Sequence, residues 1–101
     1  MKINPGACGL ITTVEVRKKD ARVFMLELRS DCEMIQKLGE TLPELSMTDC
    51  FKRILDSIVY KQASACLKHV SCPVPSGILK TLEVEAGLAV AKDVSMKFLK
   101  D

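Results

Sequence analysis

Residues 10–29 read LITTVEVRKKDARVFMLELR, and this stretch decides the fold. Apolar and polar residues alternate along residues 10–17 and again along residues 21–29, as in strands that bury one face. The polar break Lys18-Lys19-Asp20 between them has the composition of a turn. The stretch therefore predicts a β-hairpin. Its inner face is expected to carry Leu10, Thr12, Val14, Val16, Phe24, Leu26 and Leu28.

A helix is predicted directly after the hairpin. Ser30 and Glu33 have the capping-box spacing, in which each side chain binds a free backbone N–H at the start of a helix. Pro43 marks the expected end of this helix. Cys32 falls in the first turn, where the partial positive charge of the helix terminus favours a thiolate.

The pattern after Pro43 predicts a second helix, with Ser46 or Thr48 as its cap. The apolar stripe of this helix continues or restarts through Val70. Cys50 lies on the stripe, where a buried core cysteine is the expected role. The other members of the stripe are Phe51, Ile54, Leu55, Ile58, Val59, Ala63, Cys66 and Leu67.

Pro73 and Pro75 interrupt the helical pattern, because proline lacks a backbone N–H and restricts the residue before it. The chain is therefore expected to turn around Cys72. A last helix fits residues 76–86, with Gly87 as its C-terminal stop.

The alternation of Val94, Met96 and Phe98 predicts a short final strand. A right-handed crossover would bring this strand beside the hairpin. The sequence thus predicts a single α+β domain over residues 1–101. Its small antiparallel sheet, the N-terminal hairpin plus the C-terminal strand, is expected to pack on three or four helices.

Composition excludes several classes of function. The 101 residues carry a formal net charge of +2 and contain three Phe, one Tyr and no Trp, so the chain lacks the basic, aromatic surface that binds nucleic acids. No apolar run approaches the roughly 20 residues of a membrane span. The first residues lack the apolar core of a signal peptide. Five cysteines without an export signal are typical of a reducing compartment, so a cytoplasmic protein is expected.

Residues 66–75, CLKHVSCPVP, gather Cys66, Cys72 and the only histidine, His69. In a helix Cys66 and His69 would project from one face, and the turn at Pro73 would fold Cys72 back toward it. Thiolate and imidazole ligands suit zinc, and thiolates suit iron–sulfur clusters. The competing interpretation makes Cys66 a core residue and His69 a cap for the carbonyls at a helix end.

Two further cysteines flank the hairpin. Cys8 precedes the first strand and Cys32 follows the second. Because a hairpin returns the chain to the end of the sheet at which it started, the two thiols are expected to meet there.

Cys8-Gly9 before a strand, Cys32 at the strand-to-helix junction, and His69 followed closely by Cys72 form a pattern. Over residues 5–86 this pattern resembles the NifU/IscU-type iron–sulfur cluster scaffold family. The resemblance implies that Cys8, Cys32, His69 and Cys72 hold zinc or a nascent [2Fe-2S] cluster. It also implies assembly with a cysteine desulfurase and transfer to an acceptor protein.

The chain also resembles short uncharacterised proteins of anaerobic prokaryotes, which share a Pro-Gly-x-Cys-Gly start and a Cys-Pro-Val-Pro turn. No function comes with that likeness.

Three functions stay open. The first is a monomeric or weakly dimeric module that binds zinc or an iron–sulfur cluster through Cys8, Cys32, His69 and Cys72, with Cys66 as substitute or neighbour. The second is a thiol sulfur carrier or cysteine-dependent enzyme, in which Cys32 is the nucleophile and His69 the base. No oxyanion hole or orienting acid is identifiable, so no catalytic residue is assigned. The third is a metal-free interaction protein with buried cysteines.

Overall fold

The structure is a computed structural model that describes residues 1–100. Within these residues the chain has an α+β fold, with a four-stranded antiparallel sheet and three α-helices. The strands are β1 (Lys2–Ile3), β2 (Thr12–Lys18), β3 (Val23–Ser30) and β4 (Glu44–Ser46). The helices are α1 (Glu33–Thr41), α2 (Ile58–Cys66) and α3 (Val74–Glu85).

β2 and β3 form the predicted hairpin at the centre of the sheet, whose strand order is β1-β2-β3-β4. Thr12 of β2 faces Ser30 of β3 in the register. The turn lies at residues 19–22, where Asp20 Oδ1 accepts hydrogen bonds from the backbone N–H groups of Arg22 (3.0 Å) and Val23 (3.1 Å). This side-chain-to-backbone bonding explains why a polar break is a stable turn here.

The two faces of the hairpin differ as the alternation predicted. Val14, Val16, Phe24 and Leu26 are buried, and α3 packs on β2 while α1 packs on β3. Leu10 is an exception, because it precedes β2 and is exposed. On the outer face two glutamates lie directly opposite each other, and two arginines form ion pairs with both of them. These four residues are Glu15, Glu27, Arg17 and Arg29.

The predicted C-terminal strand is wrong. β1 pairs with β2, and β4 pairs with residues 23–25 of β3, so these two strands complete the sheet instead. Residues 90–100 have no regular structure, and Val94, Met96 and Phe98 are 55%, 84% and 102% exposed. An alternating pattern forms a strand only where an edge is available to pair with it.

The predicted second helix is also wrong over residues 47–56, which form two short 3₁₀ helices, Met47–Phe51 and Ile54–Asp56. Ser46 and Asp49 make a capping box at the first of them. α2 starts later, where Ser57 Oγ accepts the backbone N–H of Tyr60 (3.4 Å). The expected stripe is therefore largely exposed at its beginning. Its exposed members there are Phe51, Ile54 and Leu55.

α3 begins at Val74, two residues earlier than residues 76–86 predict. Pro75 is accommodated in its first turn, because the N–H that proline lacks has no partner inside the helix there. The helix ends at Glu85, and Gly87 follows it with a positive φ of 77°, as its predicted role requires. No helix within residues 1–100 combines the length and the apolar character needed to cross a bilayer.

Candidate thiol site

Cys32 is the N-cap of α1, and no side chain caps this helix. The sequence predicts Ser30 in that role, but Ser30 is the last residue of β3 and α1 starts only at Glu33. The capping-box prediction is therefore wrong, although the Ser30 hydroxyl still accepts a backbone N–H nearby. The consequence is that the Cys32 thiol, which is half-buried, lies at the positive end of α1.

Two hydroxyl groups fix the backbone of Cys32. The Thr12 hydroxyl, 1% exposed, donates to Ser30 Oγ (3.0 Å), and the same oxygen accepts the backbone N–H of Cys32 (3.1 Å). Gln36 Nε2 donates to the Ser30 carbonyl oxygen (2.8 Å). The junction between β3 and α1 is thus held from the sheet side and from the helix side.

Cys8 lies in a tight turn before β2. The backbone N–H of Gly9 donates to the carbonyl oxygen of Gly6 (3.0 Å), which places Cys8 at the third position of the turn. Gly9 has φ 70°, a conformation that glycine adopts without strain. The thiol of Cys8 is exposed, so it is accessible to ligands and reagents.

Cys72 lies in the turn between α2 and α3. Its backbone N–H donates to the carbonyl oxygen of His69 (3.2 Å), and α3 begins two residues later. The side chain is half-buried and packs against the hydrophobic core. The turn expected around Cys72 is therefore present, and it places this thiol just before a second helix N-terminus.

Strand register brings the three cysteines to one end of the sheet. Ile3 of β1 faces Thr12 of β2, and Thr12 faces Ser30 of β3, so these residues form one row across the sheet. A methyl group at Gly77, in the N-terminal half of α3, would collide with the side chain of Ile3. The start of α3 therefore lies over the same row. Cys8, Cys32 and Cys72 are the cysteines of the three segments that meet there.

The thiol of Cys72 is electrostatically coupled to the other two. Burial raises the pKa of Cys72 above its ordinary value of 9.0, and negative charge on Cys32 and then on Cys8 raises it further. The backbone hydrogen bond from Val74 acts in the opposite direction and lowers this pKa. We refer to Cys8, Cys32 and Cys72 as the thiol cluster.

The thiol cluster is not a closed metal site. Among residues 1–100, no group of three or more His, Cys, Asp or Glu side chains is arranged closely enough to hold a metal ion. Charges act over a longer distance than metal–ligand bonds. The charges of Cys32 and Cys8 can therefore affect Cys72 although the three sulfurs are not close enough to share a metal ion. The donor set nevertheless fits zinc or an iron–sulfur cluster, since both take thiolate ligands.

The remaining candidate residues lie differently. His69 is exposed and lies in the same turn as Cys72, whose backbone N–H its carbonyl oxygen accepts. Cys66 Sγ lies 3.9 Å from Thr41 Oγ1, at the C-terminal end of α1. Because α1 has nine residues and each adds about 1.5 Å, Cys66 is about 13 Å from the Cys32 end. Cys66 therefore does not belong to the thiol cluster.

Cys50 packs partly buried against the core, in keeping with its predicted structural role. Burial raises the pKa of Cys50, and the carboxylates of Glu83 and Asp49 raise it further. The raised pKa of Cys50 is thus caused by burial beside acidic groups. Cys50 lies in a different segment of the chain from the three cysteines of the thiol cluster.

Sequence reasoning missed the contribution of Thr12 and Ser30 to this site. The sequence pattern places Thr12 only on the inner face of the hairpin. The signal that identifies it is a polar residue in an otherwise apolar row, because a buried hydroxyl needs a hydrogen-bond partner.

Fold and site together define a small α+β protein with three cysteines gathered at one end of an antiparallel sheet. Residues 1–98 match a family of unknown function (DUF6951), and the chain belongs to that family. No curated protein matches the chain. No solved structure matches it either.

Proposed function

We propose that the protein binds a thiophilic metal, zinc or an iron–sulfur cluster, through Cys8, Cys32 and Cys72. The observation that carries the proposal is the gathering of three cysteines from three separate segments at one end of the sheet. Structural cysteines alone need no such convergence, because each can be buried separately in the core.

Helix N-termini near Cys32 and Cys72 assist the ligand form of these thiols, whereas burial, the largest effect on Cys72, raises its pKa. Cys32 lies at the N-terminus of α1, and Cys72 lies just before that of α3 with a backbone hydrogen bond from Val74. The partial positive charge at a helix N-terminus stabilises a thiolate, which is the form that binds metal. A bound cation would also remove the mutual repulsion of the three thiolates.

His69 is the proposed fourth ligand. It is exposed and lies in the same turn as Cys72, so its imidazole is free to reorient within that turn. The resemblance to NifU/IscU-type scaffolds supports the same four residues and suggests a cysteine desulfurase or a cluster acceptor as partner. All five cysteines are free, which suits a reducing compartment such as the cytoplasm.

The test is metal content after anaerobic purification. We expect about one zinc or two irons per chain, lost in Cys8→Ser, Cys32→Ser and Cys72→Ser. Cys50→Ser and Cys66→Ser are matched controls that remove a thiol outside the cluster and should retain the metal. Because metal that joins three segments contributes to folding, a chelator should also lower the melting temperature. Colourless, metal-free protein whose stability is unchanged by chelator would overturn the proposal.

The alternative is a thiol sulfur carrier or cysteine-dependent enzyme centred on Cys32. What favours it is the position of this thiol at the helix N-terminus, where an attacking thiolate is stabilised. Persulfide formation with a cysteine desulfurase and its substrate separates the two functions. Loss of the persulfide in Cys32→Ser alone, with unchanged metal content in that variant, would favour the carrier.

A further inference from the structure

The edge of β3 is only partly covered. β4 pairs with residues 23–25, and the backbone N–H of Leu26 donates to the carbonyl oxygen of Pro43 (2.9 Å). Beyond that point no strand within residues 1–100 lies beside β3 on the side away from β2. Because outward-facing residues alternate in an antiparallel strand, Leu28 presents its N–H and C=O on the same side as Leu26.

A shallow cleft, open to solvent, lies between β3 and α1 beside this edge, with a volume of about 370 Å³. Gly39 of α1 contributes no side chain to it, and a methyl group there would lie 3.4 Å from the Cβ of Leu28. Gly39 therefore lets α1 pack closely on the Leu28 side chain, next to the open edge of the strand. Its lining residues are Leu26, Glu27, Leu28, Gln36, Gly39 and Glu40.

The chain also contains an extended segment that lacks a partner. Residues 90–100 follow α3 without regular structure, and Val94, Met96 and Phe98 alternate along them. Phe98 is fully exposed and Met96 is 84% exposed. Apolar side chains in such a row are typical of a strand that pairs with a surface.

The charges of the two elements are complementary. Glu40 lines the cleft, whereas Lys97 and Lys100 lie in the extended segment. Glu27, which also lines the cleft, is already paired with Arg17 and Arg29. Opposite charges of this kind favour docking in one register over others.

We propose that residues 94–99 of one copy of this chain add as a strand to the open edge of β3 in a second copy, in the cleft beside α1. Main-chain hydrogen bonds to Leu28 would supply affinity, and apolar contacts in the cleft would select the alternating side chains. Reciprocal exchange then closes one edge in each copy of a symmetric dimer.

The position of α3 favours a second copy over docking within one chain. α3 starts over the row that contains Ser30, and its twelve residues carry the chain about 18 Å away from that row. The chain therefore leaves α3 at the opposite end from residues 27–30, and residues 94–99 pair with no strand of their own chain. A neighbouring molecule can present its segment to the edge without this constraint.

The test is sedimentation velocity of the full chain over a wide concentration range, in the presence of a chelator. The tail variant Met96→Ser/Phe98→Ser and the cleft variant Gly39→Arg should each weaken dimerisation at least about tenfold. The matched controls are Val90→Ser, an exposed apolar residue outside the docking segment, and Lys37→Arg, which places an arginine on the exposed face of α1 outside the cleft. Both should dimerise like the wild type, and circular dichroism should verify that every variant is folded.

A mixing experiment makes the test specific. The tail variant retains an open cleft, and the cleft variant retains an intact tail, so an equimolar mixture should recover one of the two contacts and form a heterodimer. A wild-type chain that stays monomeric at about 1 mM overturns the proposal. It does so even if Phe98 is protected from solvent, because the segment would then dock on its own chain. Dimers that survive both the tail and the cleft substitutions overturn it as well.

Discussion

At Cys72 burial and neighbouring charge act in the same direction on one sulfur. Both raise the pKa of this thiol, burial first and the charges of Cys32 and Cys8 second. We expect iodoacetamide to alkylate Cys72 of the metal-free protein more slowly than the exposed Cys8 at neutral pH, because only the thiolate reacts. Mass spectrometry of alkylated peptides over time measures both rates.

The double variant Cys8→Ser/Cys32→Ser isolates the contribution of charge. It removes both neighbouring charges but leaves Cys72 half-buried, so the pH at which Cys72 alkylation reaches half its maximal rate should fall. Cys50→Ser/Cys66→Ser is the control and should leave that midpoint in place. An unchanged midpoint in both variants would show that the three thiols are uncoupled.

The hydroxyl pair of Thr12 and Ser30 is expected to stabilise the end of the sheet that carries the cluster. Ser30→Ala leaves the buried Thr12 hydroxyl and the Cys32 N–H without their shared acceptor, so it should cost about 1–3 kcal/mol. Thr12→Val removes only one donor and should cost about 1 kcal/mol. Urea unfolding monitored by circular dichroism measures both.

Thr13→Val is the matched control, since Thr13 lies on the same strand with its side chain on the opposite face. It should change stability by no more than about 0.5 kcal/mol. Equal effects of Thr12→Val and Thr13→Val would mean that the hydrogen bond at Thr12 contributes nothing beyond strand propensity.

Among the elements, two helices contain glycines with opposite surroundings. A methyl group at Gly39 of α1 meets Leu28 at an ordinary contact distance of 3.4 Å, so Gly39→Ala should stabilise the protein by about 0.5–1 kcal/mol. A methyl group at Gly77 of α3 would collide with the terminal methyl of the buried Ile3, so the loss of packing should exceed the gain in helix propensity and Gly77→Ala should destabilise the protein by about 1 kcal/mol. Thermal unfolding of both variants tests the pair, and the same sign for both would contradict the close packing of α3 on β1.

The sequence predicts an element well when the element's partners are near it in the sequence. The β2–β3 hairpin was predicted because its pairing needs only a short turn, which Asp20 stabilises through its own neighbours. The segment with Val94, Met96 and Phe98 has the same alternation but no edge in reach, and it forms no strand. β1 and β4 have two and three residues, too few to produce a pattern, and tertiary pairing alone defines them.

The site follows the same division. The sequence predicts Cys8 and Cys32 near each other because a hairpin joins their segments, and the register places the strand ends beside them, Thr12 and Ser30, opposite each other. The position of Cys66 was not predictable, since it depends on where α2 ends against Thr41 of α1. The distance of Cys66 from the thiol cluster is therefore a property of helix packing, which local spacing does not contain.

Across the whole molecule, the sheet and the three helices of residues 1–100 share one core, and two thiols with raised pKa values lie at its margin. Cys72 precedes α3, and Cys50 lies in the 3₁₀ helix Met47–Phe51, which contacts α3. For each of them the folded state prefers the neutral thiol more strongly than the unfolded chain does. Their titration is therefore linked to global unfolding.

We expect the free energy of unfolding of the metal-free protein to fall at alkaline pH. Below the ordinary thiol pKa of 9.0 both states keep these protons, and the thiols add no pH dependence. As the pH rises through 9.0 toward the raised folded-state pKa values, the unfolded chain loses its protons first, so unfolding becomes more favourable. Cys50→Ser and Cys72→Ser should each make the free energy of unfolding fall less steeply with pH. Cys66→Ser, the matched control, should leave the slope unchanged. Urea denaturation at a series of pH values measures the slope, and a slope that persists in Cys50→Ser/Cys72→Ser would assign the alkaline loss to other groups.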